Sequence, residues 1–127
     1  MTLPSHDPIV LVVEDDPLLR MVAVENILEA KCTFFEAANA DEAMTLLDAH
    51  PEISVLFTDI TMPGSMDGLH LARAAKASRP DLVVVITSGY LKPGSSLPQG
   101  AVFFRKPYTF AELTHAIRRC ACAPDHP

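Results

Sequence analysis

Short apolar runs recur along this chain: Ile9–Val13, Cys32–Ala37, Ile53–Thr58, Leu82–Thr87 and Ala101–Phe104. Each is strand-length, too short for a buried helix, and Leu-Val-Val-Val-Ile-Thr is the most strand-like of all. The intervening segments change period. Pro17 suits the first turn of a helix that Asp16 caps, with Leu19, Val22, Ala23, Ile27 and Ala30 as its apolar face. Asp41 and Glu42 open a second helix carrying Ala43, Leu46 and Leu47, which stops before Pro51. Asp67 caps a third with Leu69, Ala72 and Ala75, ending near Pro80. Thr109 caps a last helix whose core face is Phe110, Leu113, Ile117 and Cys120. Between Ser88 and Gly100 the pattern fails. Gly89, Pro93, Gly94, Pro98 and Gly100 argue against a regular helix, leaving at most a short turn around Gly89 to Lys92 and then loop.

Strands alternating with helices imply a parallel sheet covered on both faces. With right-handed crossovers, five strands lead to an α/β, flavodoxin-like (βα)5 three-layer sandwich, strand order 2-1-3-4-5, with a degenerate fourth helix. That order puts strand one beside strand three. Ligands bind such sheets at the carboxyl ends of the strands. There the sequence places Glu14-Asp15-Asp16, Asp59 and Lys106.

The 127 residues, 49% of them apolar, are enough for one domain with one core. We expect a single domain over 1–127, its core about 8–122, with loose ends outside. The net charge of −6 and the lack of a basic patch exclude sequence-independent nucleic-acid binding. No stretch reaches the roughly 18 apolar residues of a membrane span, and Met1 to Pro8 has no signal-peptide pattern, so a cytoplasmic protein is expected. Cys32, Cys120 and Cys122 contain no CxxC pair, and His6, His50, His70, His115 and His126 lack ligand spacing. Cys120 reads as a small core residue and Cys122 as a thiol at a frayed end.

Carboxylates gathered at one edge repel unless a cation neutralises them. Few oxygen ligands suit Mg²⁺, which keeps waters and shares its shell with phosphate. Neither GxxxxGK[ST] nor GxGxxG is present, which disfavours nucleotide binding. What remains is phosphoryl chemistry on the protein itself, with a carboxylate as nucleophile and a metal, lysine and hydroxyl neutralising charge.

Over nearly its whole length the chain resembles the receiver domain of two-component response regulators. The matching pieces are Val12-Val13-Glu14-Asp15-Asp16-Pro17, Thr58-Asp59-Ile60-Thr61-Met62-Pro63-Gly64, Asp67-Gly68, Ile86-Thr87-Ser88-Gly89 and Lys106-Pro107. The resemblance implies Asp59 as phosphoacceptor and Mg²⁺ (or Mn²⁺) held by Asp15, Asp59 and the Thr61 carbonyl, with Glu14 acting through water. It also implies Thr87 as switch hydroxyl, Lys106 as phosphoryl contact, Phe103 as switch aromatic and a cis Lys106–Pro107 bond. Asp16 reads as a helix cap. Thr61 and Gly89 flank the expected site. The implied donor is a sensor histidine kinase or a histidine phosphotransfer protein, and the output an unidentified protein target. We expect a monomer or weak dimer, a signalling protein and not an enzyme.

Two features depart from the family. The fourth helix is degenerate where the usual output face lies, and no output module follows residue 122. Three other readings compete. A small aspartate-nucleophile phosphatase resembles receivers but needs a second Asp two residues after the nucleophile, where this chain has Thr61. A phosphate-independent pseudo-receiver should lack an acidic partner, the acceptor or the lysine. A fragment of a larger hybrid kinase is disfavoured by the Met1 start and the loose C-terminal end, which favour a stand-alone protein.

Overall fold

The computed structural model describes residues 8–30, 32–60, 68–88, 100–105, 109, 111–113 and 115. Its elements are β1 (Ile9–Val13), α1 (Pro17–Glu29), β2 (Thr33–Ala37), α2 (Ala40–Ala49), β3 (Val55–Asp59), α3 (Gly68–Ser78), β4 (Val83–Ser88) and β5 (Val102–Arg105). The five strands form one parallel sheet in the order β2-β1-β3-β4-β5, as expected. The expected degenerate fourth helix falls on 89–99, outside the described residues.

Alternation along each strand sorts the side chains to two cores. Leu11, Val13, Leu56, Val84 and Ile86 pack with Ala40, Ala43, Leu47, Leu71, Ala72 and Ala75 beneath α2 and α3. Val10, Val12, Val55, Phe57 and Val85 pack on the other face with Ala23, Val24, Ile27 and Leu113. Both faces of the central strands are therefore dry, which is why these runs are apolar without a polar alternate.

Local chemistry fixes the helix starts. Asp16 is the α1 cap: its Oδ1 accepts from the amides of Leu18 at 2.8 Å and Leu19 at 3.2 Å, and Pro17 takes the first helical position. Asn39 caps α2, accepting from Glu42 N at 2.8 Å, while Glu42 Oε1 accepts from Ala38 N. Thr109 and Glu112 form a reciprocal capping box ahead of the helical residues 111–113. Leu113 is buried; Phe110, Ile117, Cys120 and the α3 cap Asp67 lie outside the described residues.

The expected apolar face of α1 needs correction. Ala23, Ile27 and Ala30 are buried, joined by Val24, but Leu19 and Val22 are exposed. Apolar residues occur on nearly every side of this helix, so spacing alone does not fix which stripe turns inward. The strand ends also differ by a residue or two from the sequence expectation: β3 runs on to include Asp59, and β5 begins at Val102. Such one-residue differences are ordinary at strand ends, where the last rungs form only if the neighbouring chain stays in register.

A candidate phosphoacceptor site at the carboxyl edge of the sheet

The register brings the expected carboxylates together. Val13, the last residue of β1, pairs with Thr58, so Glu14-Asp15 and Asp59 leave adjacent strands at the same edge. Asp59 in turn pairs with Thr87 on β4, and the Ile60 amide donates to the Thr87 carbonyl at 3.0 Å. Glu14 and Thr87 are buried, and Asp15 and Asp59 are half-buried. Phe103 sits opposite Ile86 in the β4–β5 register and packs partly buried against the α2/α3 core. Thr61, Gly89, Lys106 and Pro107, and with them the expected cis bond, lie outside the described residues.

The acidic loop is held tightly. The Glu14 amide donates to the Ala37 carbonyl at 3.1 Å, closing the β1–β2 ladder one residue past the strand. Glu14 Oε2 accepts from the Asp16 amide at 3.3 Å. Two residues that sequence reasoning did not single out for these contacts also shape the site. Arg20 Nη1 donates to the Glu14 carbonyl at 2.8 Å, and its Nε to Glu36 Oε1 at 3.2 Å. Gly68, quoted above only as part of a motif, starts α3 against the backbone of Asp59, its amide donating to the Ile60 carbonyl at 2.8 Å. A Cβ at Gly68 would lie 2.6 Å from the Asp59 carbonyl carbon and 2.9 Å from Ile60 Cα. No pattern in the sequence marks either contact, because each joins segments that meet only in the fold.

Among the described residues no three Asp, Glu, His or Cys side chains converge closely enough to enclose a cation by themselves. Two strand-end carboxylates, with a third held behind them, are the open kind of donor set that Mg²⁺ accepts, since that ion completes its octahedron with water and phosphate oxygen. The donors are all hard oxygens, and among the described residues neither thiol nor imidazole joins Asp15 and Asp59 in a cluster of three.

A doubly covered parallel sheet with acidic strand ends at its switch edge is an arrangement that can accept a cation together with a phosphoryl group. The family model for the response regulator receiver domain matches residues 10–118. The chain belongs to that family: it is a receiver domain, a signalling domain that accepts a phosphoryl group in two-component systems. It is 33% identical over 118 residues to the response regulator receiver protein CpdR of Brucella abortus, covering 90% of this chain and 97% of that protein. It is 31% identical to part of the sensor kinase CckA of the same organism, covering 90% of this chain but 12% of the kinase. Among solved structures, a receiver protein from Sinorhizobium medicae superposes with a TM-score of 0.82 at 22% identity, covering 92% of this chain and 96% of that one. The response regulator TrrA of Thermotoga maritima, solved in complex with Mg²⁺-BeF, superposes at 0.80 with 25% identity, covering 89% and 98%.

Proposed function

We propose that this receiver domain takes its phosphoryl group on Asp59, from a phosphohistidine of a sensor histidine kinase or a histidine phosphotransfer protein. The observation that carries the reading is the position of Asp59, at the end of β3 between the Glu14-Asp15 loop of β1 and Thr87 of β4. A carboxylate oxygen of Asp59 attacks phosphorus. A carboxyl O–P bond forms, the N–P bond breaks, and the imidazole leaves with the bonding pair and takes up a proton. Asp15, Asp59 and the Thr61 carbonyl would hold Mg²⁺, or Mn²⁺ in its place, with Glu14 contributing through water. The bound ion supplies neutralisation of phosphoryl oxygen charge. Thr87 and Lys106 provide a hydroxyl and an ammonium for the same oxygens, and Phe103 changes its packing when Thr87 turns toward them.

The exposed face of α1 supports a protein donor. Among the described residues the large exposed apolar side chains, Leu18, Leu19, Met21, Val22 and Leu28, all lie on this helix, which leaves directly from the acidic loop. An apolar patch beside the acceptor is what a partner needs to dock while presenting its phosphohistidine. No helix among the described residues is long and apolar enough to cross a membrane. We class the protein as a cytoplasmic signalling module, monomeric or weakly dimeric, and not an enzyme.

The test is intact mass after incubation with acetyl phosphate, with and without Mg²⁺, alongside Asp59→Asn. The expected result is a Mg²⁺-dependent phosphoryl adduct that the variant lacks. An adduct of equal yield on Asp59→Asn would move the acceptor elsewhere. If wild type stays unlabelled by acetyl phosphate and by partner kinases, the phosphoacceptor reading fails.

A further inference from the structure

We propose that Arg20 is a positioning residue for the metal-binding loop, holding the carbonyls of Glu14 and Asp16, the residues on either side of Asp15. The inference rests on the reading of Asp15 as a metal ligand. Arg20 reaches the loop twice. Its backbone amide donates to the Asp16 carbonyl at 2.8 Å, and its guanidinium Nη1 donates to the Glu14 carbonyl at 2.8 Å. Asp15 is thus bracketed by two carbonyls that one residue holds. The first contact is an ordinary helical bond that any residue would make. The second depends on the arginine side chain.

The arrangement follows from where the sheet ends. The Glu14 amide takes the last rung of the β1–β2 ladder, to the Ala37 carbonyl. In a parallel ladder the Glu14 carbonyl would accept the next rung, two residues farther along β2. But β2 stops at Ala37, and Asn39 has already turned into the α2 cap. Arg20 supplies the charged donor at that place, and charge-assisted bonds of this type are stronger than neutral ones. Its other edge pairs with Glu36 on β2 at 3.2 Å, which aims the guanidinium. The arginine side chain is only 22% exposed, so the fork is held against the sheet and not waving in solvent.

The sign of the effect separates positioning from plain electrostatics. Removing a cation beside an acidic site strengthens Mg²⁺ binding if charge is all that matters. If Arg20 orients the loop, its removal weakens binding. Groups that orient metal ligands typically cost about 10–100-fold in affinity when removed. Here the contact acts through a peptide group, and we expect about 3- to 10-fold.

The experiment titrates wild type, Arg20→Met and Arg20→Lys with Mg²⁺ in the absence of any phosphoryl donor, by calorimetry and by amide shifts of Glu14, Asp15 and Asp16. The Asp16 amide donates to Glu14 Oε2, so its hydrogen exchange in the metal-free protein reports how firmly the clamped loop is held. The expected outcome is weaker Mg²⁺ binding and faster Asp16 exchange in Arg20→Met, with Arg20→Lys between it and wild type and the melting temperature changed by no more than a few degrees. Equal or tighter Mg²⁺ binding by Arg20→Met overturns the inference and leaves the metal site intact. Failure of wild type itself to bind Mg²⁺ removes the metal reading and this inference together. Should Arg20→Met not fold, Arg20→Lys alone decides: affinity equal to wild type refutes the role of the fork.

Discussion

Replacing Gly68 with alanine should damage the acceptor directly. The new methyl would sit 2.6 Å from the Asp59 carbonyl carbon and 2.9 Å from Ile60 Cα. Carbon atoms pack at about 3.5–4.0 Å and the Asp59 carbonyl oxygen is closer still, so at least about 1 Å of movement is required. A flexible side chain could swing away, but these atoms are backbone. Asp59 is a strand residue paired with Thr87, and Ile60 is tied to the Thr87 carbonyl at 3.0 Å and to the Gly68 amide at 2.8 Å. Overpacking of this kind costs about 1–3 kcal/mol. Against it stands at most about 1 kcal/mol for removing a glycine from a helix. Because the obstructing atoms are backbone, the cost falls at about 2–3 kcal/mol, so the net loss is about 1–2 kcal/mol, which lowers the melting temperature of a domain this size by about 3–8 °C. Most molecules remain folded at room temperature, yet the acceptor backbone is displaced. A misplacement near 1 Å can cost up to about 100-fold in rate. We expect labelling by acetyl phosphate to slow by at least about 10-fold, read by intact mass on protein shown to be folded by circular dichroism. A Gly68→Ala variant with wild-type melting temperature and labelling rate would refute the close approach of α3 to Asp59.

Asp16→Ala should cost about 1 kcal/mol in urea denaturation, because the Leu18 and Leu19 amides lose their acceptor; an unchanged midpoint would show that the cap contributes nothing. Leu18→Ser with Met21→Ser touches exposed side chains, so stability should stay within about 0.5 kcal/mol and acetyl phosphate labelling should be unchanged. Phosphotransfer from a histidine-phosphorylated protein should fall about 10-fold, the equivalent of about 1.4 kcal/mol of lost contact. Equal protein-donor rates in the double variant and wild type would rule out α1 as the docking face.

Much of this protein could be read along the chain. Strand-length apolar runs separated by helical spacing determined a doubly covered parallel sheet, and the observed order β2-β1-β3-β4-β5 agrees. The helix caps Asp16 and Thr109 were legible because capping involves only neighbours in sequence. Asp15 and Asp59 could be placed at one edge because strand ends and strand order are both sequence-level inferences. The inward stripe of α1 could not. Leu19 and Val22 are as apolar as Val24 and Ile27, and only docking against β1 and β2 decides which pair is buried. Arg20 illustrates the same limit. Its partners are the Glu14 carbonyl, six residues away, and Glu36, sixteen away on another strand. Neither contact has a local period or a motif, since each exists only because β2 ends where α1 passes over it. Gly68 likewise looks like any helix-starting glycine until the fold brings β3 against it. Short-range preferences and patterning thus determine which elements form and which residues reach the functional edge. The long-range meeting of backbone from separate elements decides how those residues are held, because such contacts depend on distances that no stretch of sequence contains.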